Sequence, residues 1–296
     1  MRNNIQEPQC PVCGNSDHIS FAFRRNGNTI HSCHGCGLEF LFPQPTDDTL
    51  SSIYSSSYFL GANNPESIRR QASLKRATAK LYLDIIAPFV QARNPKFLEI
   101  GCGSGDFLME AESRGFEIEG LEYSEHAAAG ANLRLGHQAV RVGSLERKYL
   151  PPDQYDVIGA FDVIEHLRNP MQSLSDLHGA LKSGGLLAIV TPSLNSWSRR
   201  LLGRHWMEYK TEHLTYFSRR SLEQMFEKAG FAKTQFFRNY KVLSFDYVAA
   251  HFERFRVPIL SHIVHALRSV SPENLAHRPI RIVASGITVI AQKGGN

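Results

Sequence analysis

The nine residues Phe97-Leu98-Glu99-Ile100-Gly101-Cys102-Gly103-Ser104-Gly105 decide the fold. A short apolar strand breaks into a turn with glycine at every second position, and Asp106 then opens a helix. Such a turn lets a ligand approach bare backbone at the carboxyl edge of a sheet. It is not the dinucleotide pattern G-x-G-x-x-G, which demands glycine where this chain has Asp106. The next strand, Ile118-Glu119-Gly120-Leu121-Glu122, ends on a carboxylate 21 residues after Gly101. A carboxylate there can accept both hydroxyls of a ribose.

Outward from this corner the chain alternates. Strands are expected near 96–100, 116–121, 138–142, 155–160 and 185–191, with helices from Asp106 and from residue 125 between them. Strands joined through helices pair parallel, and the helices cover both faces. The expected fold is therefore α/β, a doubly wound, mostly parallel sheet. Upstream, residues 66–92 carry Leu81, Ile85, Ile86 and Phe89 at helical spacing, and Asn94-Pro95 ends that helix. Before it, a serine-rich stretch through Ser57 and the run Gly61-Ala62-Asn63-Asn64-Pro65 read as a connection. The last alternating strand, Arg281 to Ile290, is expected to pair antiparallel at the sheet's edge.

Four of the five cysteines form two knuckles, Cys10-Pro11-Val12-Cys13-Gly14 and Cys33-His34-Gly35-Cys36-Gly37, with 19 residues between them. Two thiolates three residues apart grip one face of a tetrahedral ion. The second pair closes the shell with no open position, which marks a structural Zn2+ site rather than a catalytic one. Two disulfides are the other pairing open to these residues. His18, His31 and His34 lie near enough in sequence to stand in for a cysteine.

With these motifs in hand, residues 97–191 resemble a class I S-adenosylmethionine-dependent methyltransferase, whose first motif is an acidic residue followed by G-x-G-x-G. The two knuckles, the Tyr54…Tyr58 segment and the stretch His213-Leu214-Thr215-Tyr216-Phe217-Ser218 extend the likeness over nearly the whole chain. The group resembled is one of small-molecule and sugar methyltransferases with an N-terminal four-cysteine zinc ribbon. The resemblance implies a seven-stranded, mostly parallel, Rossmann-like sheet and S-adenosylmethionine as cofactor. It implies three parts: a ribbon over 1–45, a helical connection over 46–95, and a catalytic domain over 96–296 with a helical insertion at about 239–279. By the same resemblance Gly101, Cys102 and Gly103 line the methionine moiety, with Glu99 and Gly105 in the same turn. Glu122 holds the ribose, Tyr123 and the Ser144-Leu145 pair flank the adenine, and Phe161 and Asp162 complete the cofactor set. Cys102 reads as a small residue in a tight loop, since nothing near it in sequence activates a thiol.

Methyl transfer from a sulfonium is an in-line displacement, for which the protein supplies alignment and a base. The acceptor is expected over the carboxyl end of Asp156-Val157-Ile158-Gly159-Ala160-Phe161. The next residues, Asp162-Val163-Ile164-Glu165-His166, resemble the D-x-x-E-H element of quinone-type and sugar-type O-methyltransferases. His166 is thus one candidate catalytic base, and His213, in a segment that folds over the acceptor pocket in similar proteins, is the second. Other readings stay open. Glu165 and His166 can anchor the following helix, or Asp162, Glu165 and His166 can hold a divalent cation. His213 can be a core histidine bonded to backbone, and Trp206, Tyr209 and Tyr216 can stack on an acceptor ring or build core.

The net charge of +5 is uneven: −2 over residues 1–60, −2 over 61–198 and +9 over 199–296. A basic last third suits an anionic partner, or is simply a solvated face. Phe161-Asp162-Val163-Ile164 lacks the [DNS]-P-P-[YFW] element of enzymes that methylate exocyclic amines of nucleic acids. The function expected is methylation of a small-molecule or carbohydrate acceptor at a hydroxyl. Its rivals are RNA methylation, with the ribbon and the basic third gripping phosphates, and a binding module without catalysis. Within 239–279, Val248, Phe252, Phe255, Ile259, Ile263, Val264 and Leu267 form apolar helical faces among arginines. An insertion between the final two strands that lids the substrate is expected, and these faces also suit the core, a dimer contact or a membrane surface. The first residues lack an apolar signal core and no run reaches the roughly 18 apolar residues of a membrane span, so a cytoplasmic address is expected. Oligomeric state is not set by any of these features.

Overall fold

The computed structural model describes residues 7–53, 65–145, 149–254, 257 and 259–295. The Tyr54…Tyr58 segment, residues 61–64 of the expected connection, Phe255 and Arg256 lie outside the described residues. Two sheets organise the chain. In the smaller, β1 (Ile19–Arg25), β2 (Asn28–Cys33) and β3 (Glu39–Leu41) are antiparallel neighbours, followed by the short α1 (Asp47–Ile53) and the long α2 (Pro65–Ile86). The larger takes its parallel strands from β4 (Lys96–Ile100), β5 (Glu117–Glu122), β6 (Val140–Val142), β7 (Tyr155–Phe161) and β8 (Leu181–Pro192). Between these strands run α3 (Asp106–Glu112), α4 (Glu125–Leu135) and α5 (Pro170–Ala180).

After α6 (Trp197–Leu202) the chain returns to the smaller sheet as β9 (Thr215–Tyr216), which pairs antiparallel with β3. It then forms α7 (Arg219–Lys228) and the hairpin-like pair β10 (Phe231–Leu243) and β11 (Ile280–Lys293), both antiparallel to their neighbours. Three helices separate that pair: α8 (Phe245–Arg254), α9 (Leu260–Val270) and α10 (Glu273–Ala276). The order of the seven strands is β10-β11-β8-β7-β4-β5-β6.

The last strand therefore does not lie at the edge, as its alternation suggested. β11 is inserted between β10 and β8, and β10 takes the edge. The reason is burial: Val289, Ile290 and Ala291 are consecutive buried residues, which only an interior strand can cover on both faces. β10 instead exposes Ala232, Lys233 and Gln235, and charged or polar side chains blunt an open edge. β7 and β8 also read as near-continuous apolar runs because helices cover both of their faces.

One core lies between the sheet and α2, α3 and α4, with Leu83, Phe107 and Leu108 at its centre. The core on the opposite face joins Leu174, Leu177, Met225 and Phe226 to Cys33, Cys36, Leu38 and Phe40. The cysteine end of the small sheet is thus packed into the face of the large one. A third cluster ties Ile30 and Leu41 to Trp206, Tyr209, Leu214 and Tyr216. All three aromatic residues that the sequence offered as ring-stacking candidates belong to this core.

Candidate active site

The glycine corner closes β4 at the carboxyl edge. Gly101, Gly103 and Gly105 have φ of 66°, 51° and 74°, which glycine adopts without steric cost. A Cβ on Gly101 would come within 2.9 Å of a Val163 methyl carbon, and one on Gly105 within 3.2 Å of Ala131 Cβ. Before Gly103 nothing lies within 4 Å. Two glycines thus allow close packing and the third leaves backbone facing open space.

Glu122, at the end of β5, organises the corner. Its carboxylate accepts from Gly103 N–H at 2.8 Å and from Ser124 N–H at 2.9 Å. Gly143 N–H donates to the Glu122 carbonyl at 2.9 Å, which brings Ser144 and Leu145 to the same edge. Tyr123 stands 69% exposed beside them. Below, Glu99 is buried, and burial, followed by the charges of Asp106 and Glu122, raises its carboxyl well above the usual range. Its Oε2 has no hydrogen-bond partner among the described residues. Burial likewise raises the Cys102 thiol, which keeps it protonated and unsuited to nucleophilic attack. Asp106 fastens the turn to α4: Ser104 Oγ donates to it at 2.6 Å, and Arg134 bridges Asp106 and the Ser104 carbonyl.

At the end of β7, Phe161 is packed on Phe107, with centroids 4.3 Å apart, and on Tyr82, at 5.3 Å. Asp162 adopts a φ of 55° and pairs with Lys241 of β10 at 2.6 Å. Burial alone would lower the Lys241 ammonium, but Asp162 and its other anionic neighbours hold it above its ordinary value.

The turn that follows, Ile164–His166, meets the segment before β9. Leu214 N–H donates to the Glu165 carbonyl at 2.8 Å, and His166 Nδ1 lies 2.9 Å from the Glu212 carbonyl. A carbonyl only accepts, so Nδ1 carries the proton and Nε2 is the basic nitrogen. The rings of His166 and His213, 47 positions apart in sequence, cross almost perpendicularly with centroids 4.7 Å apart. Burial is the main cause that lowers His166 to about 4. Burial and then the neighbouring His166 hold His213 well below its ordinary value. Both imidazoles are therefore neutral at pH 7. Glu165 is pushed up to about 8 by burial and then by Asp162, while Thr191 Oγ1 donates to its Oε2 at 2.9 Å. Glu165 Oε1 and His213 Nδ1 are buried without hydrogen-bond partners among the described residues. Glu165, His166 and His213 bring one donor atom each within 4.8 Å of one another, whereas Asp162 is engaged by Lys241.

The small sheet holds this segment. Glu39 of β3 accepts from Tyr209 O–H at 2.5 Å and from Arg199 at 3.3 Å, and Leu41 N–H donates to the Leu214 carbonyl at 3.0 Å. At the end of that sheet where Glu39 begins β3, the Sγ atoms of Cys10, Cys13, Cys33 and Cys36 all lie within 4.8 Å of one another. Cys10–Cys36 and Cys13–Cys33 are 3.5 and 3.4 Å apart, beyond the ~2.05 Å of a disulfide. A tetrahedron with ~2.3 Å Zn–S bonds has edges of about 3.8 Å, close to these separations. His34 pairs with Ser20 and His31 packs between Phe40 and Phe42, so the four-thiol set is complete without them.

The methyltransferase-domain family matches residues 69–235, more than half of the chain. The chain belongs to this family. Among curated relatives of the chain is a ubiquinone biosynthesis O-methyltransferase of Parvibaculum lavamentivorans. It is 33% identical over 124 residues, 40% of this chain and 47% of the relative. The namesake enzyme of Azoarcus sp. strain BH72 is 28% identical over 120 residues, 39% of this chain and 52% of its own length. The chain spans about half the length of the curated relatives it matches. Among solved structures, a SAM-dependent methyltransferase from Archaeoglobus fulgidus superposes with a TM-score of 0.51 at 19% identity, covering 74% of this chain and 94% of the other. That likeness concerns the fold, here a class I methyltransferase sheet with a four-cysteine cluster at the N-terminus that can form a zinc site. S-adenosylmethionine is the methyl donor of this family.

The sequence does not single out Glu39, Lys241 or Asn239. Tyr82 O–H donates to Asn239 at 2.9 Å beneath the Asp162–Lys241 pair. None of them sits in a short motif, and their partners are 79 to 170 residues away in the chain. No local signal could have found them.

Proposed function

We propose that this methyltransferase transfers a methyl group from S-adenosylmethionine to a hydroxyl of a small-molecule or carbohydrate acceptor, and that its ribbon holds a structural Zn2+. The residues of the corner fit the donor. Each Glu122 oxygen accepts one backbone N–H and keeps a lone pair for a ribose hydroxyl. Gly103 faces open space, and the unpartnered Glu99 Oε2 awaits a polar group. Tyr123, Ser144 and Leu145 would flank the adenine, with Gly101, Cys102 and Gly105 shaping the corner and Phe161 and Asp162 bounding it. When bound, the donor supplies an electrophilic methyl on a sulfonium.

The observation that carries the acceptor reading is the pair of neutral, crossed imidazoles of His166 and His213 at 4.7 Å. A hydroxyl must lose its proton as its oxygen bonds the methyl carbon. A neutral imidazole in reach can take that proton, and the Glu212 carbonyl keeps His166 Nε2 in the basic tautomer. Relatives named O-methyltransferases favour oxygen as the acceptor atom.

A base works deprotonated, and burial lowers His166 to about 4. The acid limb of kcat/KM is therefore expected below the ordinary histidine range of about 6.5, with activity holding down to about pH 5. Separate His166→Ala and His213→Ala variants are expected to lower kcat by roughly 10²–10⁴ for whichever residue is the base. Full activity in both would defeat the assignment. Glu39→Ala is expected to lower kcat about tenfold with donor affinity unchanged, because it loosens the segment of His213 and leaves the Glu122 corner intact. Turnover and donor calorimetry on one preparation check both halves. Incubation with radiolabelled donor and fractionated cell extract tests the acceptor class: label in small molecules or glycans is expected, and label in RNA would overturn the reading.

A further inference from the structure

The last two strands of the large sheet outrun their neighbour. β11 pairs with β8 from Gly286 to Gln292, but with β10 already from Ile280. Residues 240–243 of β10, paired with residues 280–283, therefore overhang the carboxyl edge where β4 and β7 end. Helix α2 supports the overhang: Thr78 Oγ1 accepts from Val242 N–H at 2.9 Å, and Tyr82 O–H donates to Asn239. From this overhang Lys241 Nζ donates to Asp162 Oδ2 at 2.6 Å. The Lys241 side chain is 28% exposed and that of Asp162 44%. Among the described residues Lys241 Nζ donates to Asp162 alone, and Asp162 Oδ1 accepts no hydrogen bond. An ion pair with that much solvent access braces a fold only weakly. Asp162 is moreover fixed in its left-handed conformation, with its N–H on the Val190 carbonyl at 2.8 Å. Such residues are uncommon and gather at ligand clamps.

We propose that Asp162 and Lys241 together clamp the α-amino-acid end of S-adenosylmethionine, the carboxylate of Asp162 taking its ammonium and Lys241 its carboxylate. The inference rests on the proposed donor. An α-amino-acid end is a zwitterion, and two opposite charges side by side are its complement. Place selects this end of the donor. Val163, the residue after Asp162, lies so near Gly101 that a Cβ there would meet it at 2.9 Å. The strand order β7-β4-β5 sets Asp162 on one side of the glycine corner and Glu122 on the other. A ribose held at Glu122 thus leaves the amino-acid end to cross the corner toward the pair. Arg134, another cation at this corner, is engaged by Asp106 and the Ser104 carbonyl. Lys241 keeps two N–H donors for a carboxylate.

Calorimetric titration of the full chain with three thioethers tests it. They are S-adenosylhomocysteine, its decarboxylated amine, and methylthioadenosine, which lacks the whole amino-acid end. The wild type is expected to bind S-adenosylhomocysteine at least about tenfold more tightly than either of the others. Lys241→Met is expected to weaken S-adenosylhomocysteine about tenfold and to leave methylthioadenosine and the amine unchanged. Lys241→Arg keeps the cation and is expected to retain most of the affinity. Asp162→Asn is expected to weaken S-adenosylhomocysteine and the amine alike, again sparing methylthioadenosine. Unaltered thermal unfolding would show that the variants fold. Wild-type affinity for S-adenosylhomocysteine in folded Lys241→Met overturns the proposal. So does an equal loss for methylthioadenosine, which would make the pair a brace of the corner. The wild-type comparison needs no variant, and equal affinity there for S-adenosylhomocysteine and methylthioadenosine overturns the proposal as well. Binding of none of the three would remove the donor reading itself, and this proposal with it.

Discussion

Replacing Glu122 by alanine is expected to weaken S-adenosylmethionine binding by roughly 10²–10³. The carboxylate does two things at once. It holds Gly103 N–H and Ser124 N–H, and with them the shape of the turns after β4 and β5. In the proposed complex it also accepts the ribose hydroxyls. Hydrogen bonds to a charged group are worth about 1.5–3 kcal/mol each, so two lost bonds amount to about 3–6 kcal/mol, and the expected loss takes the lower part of that range. Glu122→Gln retains one acceptor oxygen and is expected to fall between wild type and alanine. Calorimetric titration with the donor reads all three proteins. Undiminished affinity in the alanine variant would remove the cofactor assignment, because Glu122 is the residue assigned to the ribose hydroxyls.

The second large effect is expected from the ribbon. Purified protein should contain about one zinc per chain, and removing it with a chelator, or replacing Cys36 by alanine, should lower the thermal midpoint by about 5–10 °C. Cys33 and Cys36 are almost wholly buried, in one core with Leu38, Phe40 and the α7 residues Met225 and Phe226. Freed thiols there lose the bonds that hold four chain positions together across 26 residues of sequence. The damage should also reach the candidate base. β3 follows the second knuckle directly, and its Glu39 and Leu41 grip Tyr209 and the Leu214 carbonyl on either side of His213. Turnover should therefore fall in the stripped protein, whereas the Glu122 corner, built on other strands, should still bind donor. Cys102→Ser is the control, since that thiol lies in the corner and outside the four-thiol set. Equal midpoints with and without metal would show that the ribbon's core stands without it.

The ribbon has a definite place in the molecule. Its strand β3 pairs with β9, and its cysteine end is packed under α7. Ser218, which caps α7, also donates to the Cys36 carbonyl at 3.5 Å. A module that reads in sequence as an appendage is in space a support for the segment carrying His213.

The amino-acid sequence by itself determined whatever depends on residue type over one or two turns of chain. Gly101, Gly103 and Gly105 announce a corner because only glycine takes those φ values cheaply. The two C-x-x-C knuckles announce a tetrahedral thiol site because their spacing is set by the ion, and the alternation of strand and helix announces a parallel sheet. Tertiary structure alone decided the rest. It brought His166 to His213, Glu39 to Tyr209 and Asp162 to Lys241, and it put β11 inside the sheet and left Ile263 and Leu267 of α9 exposed. The physical reason is the same in each case. Burial and contact between distant segments depend on how whole layers pack, and no short stretch of sequence encodes which of its faces another stretch will cover.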